Sequence, residues 1–217
     1  MTQDPRILVL GIGNVLWADE GFGVRAVEAL NDGYEFPENV LVMDGGTQGV
    51  YLLPHLQDSD VVILLDAVDY HLDGGTIKII EDGDVPTFMG AKKMSLHQTG
   101  FQEVLASAQL MGWEPKRLML IGVQPVEIED YGGSLRAPVA AQIPETIKLV
   151  LAELARWGVS PTPRQAAPST SGPAALGPEA LDRTLYEEGR PSEADAYRRG
   201  DIRFLGGALG AASDQDV

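Results

Sequence analysis

RILVLGIGNVLWADEGFGVR, residues 6–25, is the stretch whose reading decides the fold. Its first half, RILVLGIG, is a continuous apolar run that ends in glycines, the pattern of a strand buried on both faces of a parallel sheet. Its second half opens EGFGVRAVEALND (20–32), which sets Val24, Val27 and Leu30 near one helical face. A strand, a glycine turn and a helix in that order also open a dinucleotide-binding unit, whose loop reads G-x-G-x-x-G. Here Gly11 and Gly13 fill the first two positions and Leu16 takes the third. The acidic pair Asp19 and Glu20 stands where a pyrophosphate would lie, and like charges at short range repel. No G-K-[ST] follows, so a P-loop is excluded.

Outward from this unit the same two periodicities alternate. NVLVMD (39–44) reads as a strand, TQGVYLLPHL (47–56) as a helix interrupted at Pro54, and DVVILLDAV (60–68) as the strongest strand of the chain. TIKIIE (76–81) is a further strand, separated from its predecessor only by the turn HLDGG. A parallel crossover needs a dozen or more residues, so this strand is expected to lie antiparallel to its neighbour. TGFQEVLASAQLMG (99–112) reads as a helix with Thr99 as N-cap, and RLMLIGVQP (117–125) as the fifth strand. APVAAQIPETIKLVLAELARWG (137–158) closes the domain as one long helix stopped by Gly158.

The order β-α-β-α-β-β-α-β-α predicts an α/β fold, a three-layer α/β/α sandwich. Its twisted five-stranded sheet is mostly parallel with one antiparallel strand. The domain is expected over 1–158. Residues 159–217, rich in Pro, Ala and Ser, read as a linker and a loosely ordered C-terminal tail.

The formal net charge of −16 argues against a nucleic-acid partner, because phosphate contacts need Lys and Arg. Residues 161–217 hold six basic and nine acidic residues, so most of that excess lies in the folded domain. There is no cysteine, which removes disulfides, thiolate metal sites and cysteine nucleophiles together. No basic region leads an apolar core at the N-terminus, and no apolar run reaches the roughly 18 residues of a membrane span. The expected location is the cytoplasm.

Sheets of this kind build sites at the C-terminal ends of their strands. Glu20 follows the first strand, Asp44 ends the second, Asp66 ends the third, and His97 lies in a loop just before a helix. Carboxylates and an imidazole together suit a first-row divalent metal, and three protein ligands leave positions open for a substrate. Each residue also has a plainer reading. Glu20 suits the first turn of a helix by its charge alone. Asp44, followed by two glycines, fits turn chemistry, and His97 by itself is an ordinary loop histidine. Asp66 directly follows VVILL, where a buried charge needs a partner. Asp19 reads as a cap of the following helix. No G-x-S-x-G elbow and no D-T-G pair is present, which leaves serine-triad and pepsin-like sites without their motifs.

LGIGNVLWADEGFGVR, VMDGGTQGVYLL, ILLDAVDY, KKMSLHQTGF and LIGVQP…DYGGSL together resemble the endopeptidases that mature [NiFe]-hydrogenase large subunits. The resemblance runs in order over about residues 6 to 158. It is most like the branch serving membrane-bound uptake hydrogenases, through LWADEGFGVR, DGGTQG and KKMSLHQ. It implies a twisted sheet with helices on both faces, and nickel bound by Glu20, Asp66 and His97, the nickel being carried by the substrate. It further implies that a monomeric enzyme removes a short C-terminal extension from the large-subunit precursor after nickel insertion. On that reading Asp66, and Asp44 as a base, are the catalytic candidates. The alternatives are a nickel-dependent chaperone that grips the same precursor without cutting it, and a dinucleotide oxidoreductase.

Overall fold

The computed structural model describes residues 4–86 and 96–165, with the single residues Leu176, Leu181 and Tyr186; for residues 96–100 it describes the backbone alone. The opening run becomes β1 (Ile7–Ile12), buried at every position. A 3-10 turn (Ala18–Gly21) leads into α1 (Phe22–Gly33). Two residues of β2 (Tyr34–Glu35) precede β3 (Val40–Gly46). A second 3-10 turn (Gly49–Leu52) and α2 (Leu53–Gln57) lead to β4 (Val61–Ala67) and β5 (Ile77–Glu81). Then come α3 (Leu96–Leu110), β6 (Arg117–Val123), α4 (Ala137–Ala140), α5 (Ile143–Arg156) and β7 (Thr162–Pro163).

The five-stranded sheet has the order β3-β1-β4-β6-β5. All its pairs are parallel except β5–β6, which is antiparallel, as the short turn before β5 requires. Side-chain alternation divides the core between two faces. Ile7, Val9, Ile63 and Leu65 meet Phe22, Val27 and Leu30 of α1 and Val150 and Leu154 of α5. Leu8, Leu10, Val62 and Leu64 meet Leu52, Leu56, Phe101, Val104 and Leu105 on the other face. The result is the expected three-layer sandwich.

Two helices differ from the sequence reading. Pro54 does not interrupt a helix; it lies in the first turn of α2, where a missing N–H costs nothing. Pro144 likewise begins α5, so the run expected as one helix over 137–158 is two, α4 and α5. Past residue 158 the chain is still packed on the domain. β7 pairs antiparallel with β2, and Arg164 donates to the carbonyls of Asn31 and Tyr34, each at 2.9 Å. Further on, Arg25 donates to the Leu181 carbonyl at 2.8 Å, and Tyr186 is buried.

The glycines of the opening stretch serve close approach of backbone to backbone. Gly13 sits at φ +140°, and a Cβ there would overlap the Glu20 carbonyl oxygen. At Gly23 a Cβ would overlap the carbonyl oxygens of Leu65 and Ile12. This close contact brings the start of α1 down onto the ends of β1 and β4. Among the described residues no helix is long and apolar enough to cross a membrane.

Candidate active site

The chain leaves β1 through α1 on one face of the sheet, and reaches β4 through α2 on the other. Connections therefore diverge between β1 and β4, and in a sheet of this type a crevice opens outside the C-terminal ends of such a pair. Asp66 is the penultimate residue of β4, buried, and in register with Gly122 of β6. Glu20, half-buried, lies in the 3-10 turn that follows β1 and packs against β4. The two carboxylates thus come from the two strands that flank the crevice.

Asp66 shares its face with Val62 and Leu64, the face covered by α2 and α3. α3 begins at Leu96, so His97 lies in its first turn rather than in a loop, and Thr99 is inside the helix rather than its N-cap. The C-terminal end of α3 is tied to the far edge of the sheet. Trp113 Nε1 donates to the Ser59 carbonyl at 3.1 Å, and Gln57 lies 3.4 Å from Met111 Sδ. A helix of 15 residues spans about 22 Å, close to the length of β4, so α3 runs back along the strand. Its first turn, which holds the His97 backbone, lies at the other end of the helix from that tie. The His97 side chain lies outside the described residues. Among the described residues no three His, Asp or Glu side chains are grouped closely enough to hold a metal.

Asp44 is placed differently. It faces Gly11 across β3–β1 and shares the α1 face with Val40 and Val42. Two strand spacings, about 10 Å in all, separate β3 from β4, and the Asp44 and Asp66 side chains leave opposite faces of the sheet. Burial pushes the Asp44 carboxyl above its ordinary value; the Gly46 N–H and the Arg25 guanidinium pull it partly back. Its Oδ1 is buried without a hydrogen bond. Arg25 itself is buried on α1 and also holds Glu28 at 2.9 Å.

Asp19 does not cap α1. It is fully buried and reaches across to the loop after β6. Its Oδ2 accepts from the N–H groups of Val126 at 2.8 Å and Glu127 at 2.9 Å, and its Oδ1 from Arg136 N–H at 2.6 Å. Its own N–H donates to the Glu127 carbonyl at 3.0 Å. The neighbouring pair Asp19 and Glu20 therefore divides its work: one carboxylate is spent inside the protein, and the other stands at the crevice.

The sequence profile of the hydrogenase maturation proteases matches residues 24–153. The chain belongs to that family. It is 58% identical over 203 residues to the hydrogenase expression/formation protein HupM of Azotobacter chroococcum mcd 1, covering 94% of this chain and 95% of the relative. It is 42% identical over 162 residues to the hydrogenase 2 maturation protease of Escherichia coli K12, covering 74% of this chain and 98% of that one. Among solved structures, the hydrogenase maturating endopeptidase HybD from E. coli superposes with a TM-score of 0.69 at 41% identity, covering 73% of this chain and 98% of its own. The resemblance drawn from the five motifs is borne out, as are the fold class and the assignment to enzymes that hydrolyse a peptide bond.

In this maturation protease three residues that hold the loops around the crevice in place escape the sequence reading of a site. Asp19 was read as a local cap, and its long-range role leaves no trace in spacing. Gln124 follows β6 and stitches the loop after β4 to its own. Its Oε1 accepts from Tyr70 N–H at 2.7 Å and Leu72 N–H at 3.2 Å, and its Nε2 donates to Asp69 Oδ1 at 3.1 Å. Tyr70 lays its ring over Gly122, the register partner of Asp66, where any side chain would overlap its hydroxyl. Burial, and then the nearby Asp66 carboxylate, push the Tyr70 hydroxyl further above its ordinary value.

Proposed function

We propose that this chain is the endopeptidase that removes the C-terminal extension of a [NiFe]-hydrogenase large-subunit precursor, reading nickel on that precursor through Glu20, Asp66 and His97. The observation that supports the reading is that Glu20, in a turn packed against β4, and Asp66, at the end of β4, come from the two elements that flank the β1–β4 crevice, while His97 lies in the first turn of the helix on the Asp66 face. Two carboxylates and an imidazole suit a borderline divalent ion. Three protein ligands leave room for the precursor's own ligands, so the ion would be shared between enzyme and substrate. A precursor without nickel lacks this anchor, and its scissile bond is not positioned. That makes cleavage a report that metal insertion is complete. The reaction belongs in the cytoplasm and needs only one copy of the chain.

Cleavage requires a water to attack the peptide carbonyl, a base to take its proton, and the departing amine to receive one. We assign the base to a carboxylate. Asp66 is at the crevice. Asp44 has the carboxyl that burial has shifted toward the neutral range, which favours proton abstraction near the working pH. Because Asp44 lies on the α1 face, it could serve only a water approaching from that side of β1.

The test uses purified precursor with and without nickel, read by gel mobility and the mass of the released fragment. Shortening that depends on nickel supports the protease, and stable co-purification without shortening supports the non-cleaving chaperone. Glu20→Gln and Asp66→Asn are expected to lose cleavage by at least a hundredfold. Full activity in Asp44→Asn removes Asp44 from the mechanism.

A further inference from the structure

Four of the ten large hydrophobic residues exposed among the described residues lie on two loops that are joined to each other. Leu72 lies in the loop after β4, and Val126, Ile128 and Tyr131 lie in the loop after β6. Both loops leave the sheet at the edge that carries Asp66. They are held as one body. Gln124 joins them by the hydrogen bonds given above, and Asp19 fixes the backbone of Val126 and Glu127 from beneath. Tyr131 packs edge-on against Trp17 at 5.2 Å between ring centroids, and Gly132 N–H donates to the Leu16 carbonyl at 2.7 Å, which ties in the loop after β1. Apolar surface held rigid and in water at the rim of a site is surface awaiting a partner.

The charge between these apolar residues says which partner. QPVEIEDY (124–131) holds three acidic residues and no Lys or Arg, and DYHLDG (69–74) adds two more acids; of these, Asp130 is paired with Arg136 at 2.8 Å and Asp69 lies 3.3 Å from the His71 ring. Glu129 and Asp73 are exposed. A second copy of the chain is a poor occupant, because a two-fold contact would set this acidic surface against itself. A partner presenting apolar and basic side chains together satisfies both features.

Resting on the function proposed above, we infer that the loops after β4 and β6 form a preformed docking collar. It would bind a basic and apolar face of the folded precursor, beside the crevice and separate from the nickel ligands. Binding there would fix the enzyme on the precursor before the extension is cut.

Two measurements on the full chain separate this inference from the proposed function: cleavage of nickel-loaded precursor under steady-state conditions, and affinity for the same precursor by biolayer interferometry. The variant Leu72→Asp/Ile128→Asp is expected to weaken affinity and raise KM at least tenfold while kcat stays within twofold of wild type. Wild-type affinity is expected to fall with added salt, and Glu129→Lys/Asp73→Lys to abolish that dependence. Leu110→Asp/Met111→Asp, on exposed apolar residues at the opposite edge, serves as the control and is expected to change neither quantity. The collar is overturned if its variants bind like wild type, if the control weakens binding as much as they do, or if wild type does not bind the precursor at all. Binding that depends on the collar but leads to no cleavage overturns the protease reading and leaves the collar standing.

Discussion

Replacing Asp19 by Asn exchanges one atom, and the structure says that atom matters. The carboxylate accepts three backbone N–H groups, two on Oδ2 and one on Oδ1, in a fully buried position. An asparagine offers a single acceptor oxygen. In its better orientation it keeps Val126 and Glu127 and turns its NH₂ toward the Arg136 N–H, so one buried donor loses its acceptor and meets another donor. Leaving a buried donor unsatisfied costs about 1–3 kcal/mol, and the two remaining bonds lose the strengthening that a charged acceptor gives, about 1 kcal/mol each. The expected loss is roughly 3–5 kcal/mol, a large part of a typical folding free energy. For a domain of this size it lowers Tm by about 6–20 °C. Urea unfolding followed by tryptophan fluorescence reads the stability. Amide exchange at Val126, Glu127 and Arg136 is expected to accelerate ahead of the rest of the sheet. A helix cap would behave otherwise: its loss costs about 1 kcal/mol and serine substitutes well. Asp19→Asn within about 0.5 kcal/mol of wild type, or Asp19→Ser equal to wild type, refutes the clamp.

Four further outcomes follow from named contacts. Gly23→Ala forces a Cβ into the carbonyl oxygens of Leu65 and Ile12, both backbone, and is expected to cost about 3 kcal/mol or more by thermal unfolding; an unchanged Tm contradicts the close packing of α1. Arg117 binds Glu81, Asp82 at 2.9 Å and the buried Glu153 at 3.1 Å. Arg117→Leu should destabilise by about 2–4 kcal/mol, and Arg117→Leu/Glu153→Leu should recover much of that; equal stability of single and double variants rejects the buried-charge account. The Asp44 carboxyl is raised above its ordinary 3.8 by burial, so its favourable contribution is complete below that pH and is lost as pH rises through the raised value. Asp44→Asn should therefore gain stability over wild type as pH goes from acid to neutral, and a pH-independent difference in denaturant midpoints would show the carboxyl to be unburdened. Ending the chain at residue 165 strips the Leu181 carbonyl from Arg25 and uncovers the site of Tyr186. A loss of roughly 2–5 kcal/mol is expected, and none at all would mean those contacts are idle.

Much of this architecture was legible in the sequence. The apolar runs of β1, β4 and β6 need no context, because a strand buried on both faces cannot be written with polar residues. The turn HLDGG was too short for a crossover and so fixed β5 as antiparallel. Strand-end position singled out Glu20, Asp44 and Asp66, since a strand's last residue is where its polar groups first meet the crevice. What the spacing could not reveal was which of these share a face. Asp44 and Asp66 look equivalent along the chain; strand order and alternation send their side chains to opposite sides of the sheet.

The acidic pair of the opening stretch shows the same division. Sequence alone determined that ADEG follows a glycine turn and cannot cradle a phosphate, because local charge and glycine spacing are properties of neighbours in the chain. Only the tertiary structure decided that Asp19 turns inward to residues more than a hundred positions away, while Glu20 remains at the crevice. The partners of Asp19 are backbone N–H groups, which every non-proline residue carries, so nothing in the sequence of residues 126–136 marks them as its acceptor-seeking donors. Their direction is set by how the loop after β6 folds across the sheet's edge, and that is a property of packing rather than of any residue's identity.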